Sequence, residues 1–300
     1  MNRKLLRAEG NHRIEVVDML IKVASAMYLM DRADHVRPNT FAGYRSSLSA
    51  HVIPDLGDIE MEEFTPQQLQ EYLLTFKTKG VAVRTYTTIR QLFNWSNRVL
   101  GIQTMSLFNL RYDMPDGDAY MPSVLDRQQT MQMITAIAGQ PWEAVIALCV
   151  LCGLRKCEAC GLMWEDINLD TREIMIRRGR HYCQGQDMIL PPKTKKSAGV
   201  VVIPKFYIPR LRALQMESGF LCDLPPNVLS KKYKDFIISN SLPYVPMKNL
   251  RHSWATQALE AGMSLEDIMM YLRHTQMSTS YEHYIVRTNK MIHRIADIME

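Results

Sequence analysis

Three short stretches concentrate side chains capable of ionic and nucleophilic chemistry. The first is Cys152-Gly153-Leu154-Arg155-Lys156-Cys157-Glu158, followed by Leu162-Met163-Trp164-Glu165-Asp166-Ile167. The second is Lys248-Asn249-Leu250-Arg251-His252-Ser253-Trp254-Ala255-Thr256, which runs on to Glu260-Ala261-Gly262. The third is Leu272-Arg273-His274, with Tyr281 and Tyr284 downstream. Arg155 follows Gly153 at what reads as a helix start, where unbonded backbone N–H groups favour an anion. Arg251 reads as a second helix start, ahead of Trp254, Ala255 and Leu259. A guanidinium presents paired donors in one plane and keeps its charge at all ordinary pH. Two of them suit an anion whose charge moves onto its oxygens as a nucleophile adds, and a phosphodiester is such an anion. A tyrosine hydroxyl ionises near pH ~10 in isolation, so as a nucleophile it needs deprotonation during attack or help from cations. Tyr281 and Tyr284 are three apart and share a helix face, so geometry does not choose between them. Tyr271 reads as core, and either arginine taken alone is equally well a surface residue.

The three stretches, in this order, resemble the signature blocks of the tyrosine recombinase, or phage integrase, family. The first resembles that family's T-G-L-R-x-x-E-L block, the second its H-x-L-R-H-T-x-A-T block, and the third its L-G-H plus terminal tyrosine. The resemblance covers about 123 to 290. It extends weakly to Pro38-Asn39-Thr40 with Tyr44, and to Pro54-Asp55-Leu56-Gly57-Asp58. It implies strand exchange through a 3′-phosphotyrosyl intermediate, with catalytic residues Arg155, Lys193, Lys248, Arg251, His274 and Tyr284. Tyr284 follows His274 by the family's spacing; Tyr281 does not. Lys193, in Pro191-Pro192-Lys193-Thr194-Lys195-Lys196-Ser197, would be the general acid on the departing 5′ oxygen. Its alternative is a hairpin tip of lysines that only tracks the DNA backbone. Lys248 stands where the family usually has histidine, so an electrostatic role replaces a proton-accepting one. His274 would orient the phosphate, and Glu158 would position Arg155 or support the fold of the site rather than do chemistry. Arg273 stands where the family has glycine, and the sequence offers no reason beyond added positive charge.

Elements must position these groups. Apolar residues at helical spacing predict a helix over 14–34, with Val17, Leu20, Ala24 and Tyr28 on one side. A second carries Tyr44 and Leu48 and ends at Pro54 and Gly57. A third begins at Thr65-Pro66-Gln67-Gln68, a capping box with proline at the first helical position. A fourth spans about Val83 to Val99. Residues 113–122, with two prolines and a glycine, read as a linker. Beyond it come helices near 126–138 and 141–152, strands at Glu173–Ile176, Met188–Leu190 and Val200–Ile203, then helices from about 208 onward. The expected fold is mainly α with a small antiparallel sheet. It comprises a helical core-binding domain over 1–112, the linker, and a catalytic domain over 123–300 that includes a C-terminal helix. Met291, Ile292, Ile295, Ile298 and Met299 form an apolar stripe on that helix. It either packs on its own domain or, as the resemblance implies, docks on a neighbouring protomer, as in a tetramer on DNA.

Bulk composition is compatible with this. Three hundred residues, 47% of them hydrophobic, can build two cored domains. No run of about 18 uncharged apolar residues occurs, and Met1 to Gly10 lacks the apolar stretch of a secretory signal. The expected location is the cytoplasm of a prokaryote, the gene being bacterial or phage-borne. A net charge of +5 only mildly favours a nucleic-acid partner. Cys149, Cys152, Cys157 and Cys160 invite a zinc reading, but four residues separate the two pairs, against roughly 12 to 20 in zinc ribbons. Their apolar setting points to packing instead. No metal or nucleotide cofactor is expected, because side-chain cations do a metal's work. The expected partners are double-stranded recombination sites, three further copies of the chain and accessory DNA-bending proteins, with no membrane. The rival function is a catalytically idle DNA-binding protein of the same fold.

Overall fold

The computed structural model describes residues 5–7, 13–15, 19–103, 107–117, 122–192 and 198–273. The chain divides into two compact units, Met1–Ala119 and Tyr120–Glu300. Among the described residues, no helix is long and apolar enough to cross a membrane.

In the first unit an antiparallel pair, β1 (Leu5–Arg7) and β2 (Arg13–Glu15), precedes the helices. Helix α1 (Ile21–Ala33) begins later than the periodicity predicts. The cause is local pairing: Ile21 N–H donates to Ile59 O at 3.0 Å and Met61 N–H to Met19 O at 2.9 Å, which holds residues 19–21 extended. Helix α2 (Pro38–Ser47) passes through a π-helical turn, Leu48–Val52, into α3 (Ile53–Leu56). Pro54 therefore does not end the helix, as the sequence suggested. A proline inside a helix lacks one donor and crowds the carbonyl four residues back, and the widened turn accommodates both. Helix α4 (Pro66–Leu74) starts as expected: Gln68 N–H donates to Thr65 Oγ1 at 3.2 Å, and Thr65 N–H to Gln68 Oε1 at 2.9 Å. Helix α5 (Lys79–Trp95) ends in a π turn, Ser96–Leu100, stopped by Gly101 at φ 69°. Ile21, Leu48, Leu69, Leu73, Ile89 and Leu92 are fully buried between these helices. Asp113 exchanges two hydrogen bonds with Gln70, at 2.9 and 3.0 Å, so the start of the proline-containing segment is pinned to α4.

The second unit is organised around one buried helix. Helix α6 (Arg127–Ala136) starts in a capping box between Asp126 and Gln129. Helix α7 (Glu143–Leu151) is buried from Glu143 to Val150, as expected of a helix that is apolar on every side. Its one acid, Glu143, accepts from Arg210 at 2.6 and 2.7 Å and from Gly139 N–H at 2.7 Å. Next come α8 (Lys156–Cys160) and five strands: β3 (Ile167–Asn168), β4 (Glu173–Ile176), β5 (Gly179–Cys183), β6 (Gln186–Leu190) and β7 (Gly199–Val202). An antiparallel sheet runs β3-β4-β7, and β5-β6 forms a separate hairpin. Four helices follow: α9 (Ile208–Leu214), α10 (Pro226–Ser239), α11 (Met247–Glu260) and α12 (Leu265–Tyr271). Helix α11 packs on α7 and α12. The fold is thus mainly helical with a small antiparallel sheet, as the sequence indicated. The six cysteines are free thiols; Cys149, Cys152 and Cys160 lie in the core, where burial pushes Cys160 up to about 12. Among the described residues, no three metal-ligating side chains lie close enough to share an ion.

Candidate phosphate-binding site

Helix α7 ends at Leu151, and the chain turns through Gly153 with φ 63°. Side chains rarely adopt that left-handed conformation. Space excludes them as well: a Cβ here would lie 2.8 Å from Leu272 Cδ2 and 3.1 Å from the Trp254 ring. Gly153→Ala is expected to destabilise the second unit by about 2 kcal/mol, from backbone strain plus overpacking. Chemical denaturation would show it as a lower midpoint with an unchanged slope.

The turn delivers Arg155 as the residue capping α8. Its N–H donates to Glu158 Oε2 at 3.0 Å and its Nη1 to Glu158 Oε1 at 2.8 Å. The helix start is therefore not open to an external anion, as the sequence suggested; the chain's own carboxylate fills it. Arg155 itself remains 36% exposed. Arg251 also departs from expectation. Pro246 caps α11, so Arg251 lies in the second turn rather than at the start. Its side chain is buried, with Nη1 donating to Gly153 O at 2.8 Å and Nη2 to Leu272 O. Lys248 is exposed in the first turn of α11, three residues before Arg251 and so on the same side of the helix.

Glu158 is the hub of this centre. Its Oε2 also accepts from Arg273 Nη2 at 2.9 Å and lies 3.9 Å from Arg251 Nη1. Burial alone would raise its carboxyl; Arg273, Arg155, the Arg155 amide and Arg251 override that and hold it below the usual range. The residue the sequence left without a rationale, Arg273, has φ 57°. This is the backbone conformation for which glycine is the default, which accounts for glycine being the alternative at this position. Nothing in the sequence marks Arg273 as a partner of Glu158, because the two are 115 residues apart, one on α8 and the other after α12. Tyr271 is half-buried and stacked on Trp254, with ring centroids 4.4 Å apart, and its hydroxyl donates to Val202 O at 3.3 Å. Burial, with the neighbouring Cys152 thiol adding to it, raises its ionisation well above the usual value, which makes it a poor nucleophile. Lys193, His274 and Tyr284, with Lys195 and Tyr281, lie outside the described residues.

Residues 24–76 match the family described as "Phage integrase, N-terminal SAM-like domain". A XerC-like tyrosine recombinase from Caldanaerobacter subterraneus is 27% identical over 187 residues, 50% of this chain and 47% of its own length. The tyrosine recombinase XerA of Pyrococcus horikoshii is 22% identical over 241 residues, 76% of this chain and 78% of its own. The chain is similar in sequence to the tyrosine recombinases. The fold agrees. The chain matches the Tn1549 transposon integrase in complex with transposon right end DNA at a TM-score of 0.78 and 16% identity, over 94% of this chain and 100% of that one. It also matches a lambda integrase dimer bound to a COC' core site at 0.66 and 15% identity, over 90% and 79%. The chain spans about half the length of the first relative, 47%, and about three quarters of the second, 78%.

Proposed function

We propose that this chain is a tyrosine-type site-specific DNA recombinase acting on duplex recombination sites. The observation that carries the reading is the convergence of Arg155 and Arg251 on one buried carboxylate. They come from different sequence blocks, yet both are held rigidly, which is what stabilising a phosphorane-like charge requires. Arg155 keeps part of its guanidinium toward solvent, where a phosphate oxygen can reach it.

In the proposed reaction the Tyr284 oxygen bonds to the scissile phosphorus. The bond from phosphorus to the 5′ oxygen breaks. Lys193 supplies the proton to that oxygen, leaving a 3′-phosphotyrosyl link and a free 5′ hydroxyl. Arg155 and Arg251 carry the charge developing on the non-bridging oxygens, Lys248 adds a further cation, and His274 orients the phosphate by a hydrogen bond. The 5′ hydroxyl of a partner strand then reverses the step. The covalent bond conserves the phosphodiester's free energy, so the scheme includes no nucleotide. The solved lambda integrase tetramer on a Holliday junction supports four copies acting together. The apolar stripe from Met291 to Met299 is the proposed link between them, and accessory DNA-bending proteins are proposed partners. A cytoplasmic setting, in a bacterium or from a phage or mobile element, fits this chemistry.

Nicked duplexes drawn from DNA flanking the coding sequence provide the test. Incubation with purified protein should give a slow-migrating adduct on a denaturing gel that protease treatment removes. A duplex retarded on a native gel, with no adduct on the denaturing one, would show the idle DNA-binding protein instead.

A further inference from the structure

Strands β5 and β6 stand apart from the sheet, and a two-stranded hairpin on its own is marginally stable at best. Apolar burial compensates little, because none of the residues of β6 is buried. What holds the hairpin is ionic. Arg180 packs inward from β5 with its side chain 8% exposed. Its Nε donates to Asp187 Oδ2 at 2.9 Å and its Nη2 to the same oxygen at 2.6 Å, which closes a diagonal pair across the hairpin. Its Nη1 donates to Cys222 O at 3.1 Å and its Nη2 to Asp223 O at 2.7 Å. The guanidinium also lies 4.7 Å from the centroid of the Phe220 ring. One side chain thus joins β5, β6 and the segment 220–223.

The same hairpin is set directly against the phosphate-binding centre. Strand β5 packs on α8, the helix that Arg155 caps. The approach is close: a Cβ on Gly161, at the end of α8, would lie 2.9 Å from Arg180 N and 3.1 Å from Gly179 Cα. A Cβ on Gly179 would lie 3.6 Å from Cys157 Cβ. Gly179 is paired with Leu190, the last residue of β6. Pro191, Pro192 and Lys193 follow Leu190 directly in the chain. The sequence that carries the proposed general acid therefore departs from the strand pair that rests on the Arg155 helix. Burial alone does not call for an arginine at position 180, since apolar residues of similar volume often replace a buried ion pair without loss of stability. An ionic fork bonded to three segments does fix one arrangement of them. Position is what proton transfer requires, and a misplacement of about 1 Å can cost about 100-fold in rate.

We infer that Arg180 and Asp187 are positioning residues for the proposed general acid: they fix the β5–β6 hairpin to the segment 220–223 and against α8, and so set where the chain that leads to Lys193 departs relative to Arg155. The inference rests on the proposed recombinase function, with Lys193 as its acid. Its consequence falls on protonation of the departing 5′ oxygen, not on binding of the phosphate.

The test compares the wild type with Asp187→Asn, Arg180→Lys and Lys193→Ala on two nicked duplexes. One has the ordinary 5′ oxygen at the scissile bond and the other has sulfur in its place. A thiol ionises near pH ~8.5, far below an alcohol, so the sulfur leaves as a thiolate and needs no acid. Asn keeps the shape and one acceptor oxygen of Asp187, and Lys keeps the charge of Arg180 but not its fork, so each loosens the clamp without emptying it. Rates of covalent adduct formation are read below the thermal midpoint of every variant. On the oxygen duplex Asp187→Asn and Arg180→Lys should each be slower on the order of 10- to 100-fold, part of the roughly 10²- to 10⁴-fold that a positioned acid contributes. On the sulfur duplex both should come within about threefold of the wild type, because no proton transfer is left to misplace. Equal losses on the two duplexes would show a structural pair, and no loss on either would show an irrelevant one; both overturn the inference. Lys193→Ala sets the scale, slow on oxygen and restored on sulfur. Failure of sulfur to restore it would reject Lys193 as the acid, and absence of any adduct with the wild type would reject the recombinase reading itself, so the failures are distinguishable.

Discussion

Tyr284→Phe is expected to abolish the covalent protein–DNA adduct, while Tyr281→Phe should retain it within a few fold. Removing a nucleophile leaves no alternative oxygen to form the bond, so the loss should reach the detection limit, of the order of 10⁴-fold or more. Native-gel retardation of the same duplex should be unchanged, because the hydroxyl contributes nothing to the cationic contacts that bind phosphate. The described residues already disfavour the third tyrosine of the region. Tyr271 is stacked on Trp254 and its hydroxyl is engaged with Val202 O. The decisive comparison is a pair of single variants on one nicked substrate, read by protease-sensitive gel shift. Adduct formation by the Tyr284 variant but not the Tyr281 variant would exchange the two assignments.

Glu158→Gln is expected to be the most damaging conservative change in the second unit. Its side chain is 8% exposed and faces three guanidiniums. Removing one partner of a buried ionic cluster leaves the remaining charges uncompensated and costs about 3 kcal/mol or more. Gln retains the shape and one acceptor oxygen, so the Arg155 cap weakens rather than vanishes. Adduct formation should fall as well, since Arg155 loses the carboxylate that orients it. The sign of the pH dependence follows from the depressed carboxyl. Its contribution to stability is fully present above the unfolded-state value of about 4.3 and is lost as pH falls through the lower folded-state value. The wild-type midpoint should therefore drop below about pH 4.3, and the Gln variant should show a shallower acid limb. Glu143 is also held below its usual range, buried but bonded to Arg210 and the Gly139 amide, so some acid sensitivity should survive. A Gln variant as stable as the wild type at pH 7, with the same acid limb, would mean that Glu158 is not the hub.

Much of this was legible from sequence because local chemistry and global fold agree. Thr65 and Gln68 signal a helix start by themselves, and the strands at Glu173–Ile176 and near Val200 are rich in β-branched and apolar residues. The departures have different causes, two local and one long-range. Pro54 reads as a terminator, yet the rod continues because a π turn absorbs it. Strand β5 has no alternating apolar pattern because Arg180, which packs inward, is charged; it is satisfied there by Asp187 and by the carbonyls of Cys222 and Asp223. Arg251 reads as a helix-start residue, but Pro246 caps α11 and leaves Arg251 in the second turn. Arg155, Arg251 and Glu158 were legible as a set only through their order and spacing. That Arg273 belongs with them needed coordinates, since a residue at φ 57° carries no local signature.

The guanidinium of Arg251 joins the turn after α7 to the end of α12, through Gly153 O at a sequence separation of 98 and Leu272 O at a separation of 21. During synthesis, the part of the second unit that emerges first therefore cannot complete the geometry of the arginine centre until α11 and α12 follow. Contacts of such separation form late and slowly. A nascent chain carrying Arg155 and Glu158 but not yet α11 would hold two opposite charges closed on each other. The arginine–carboxylate centre would be complete only when the last helices dock.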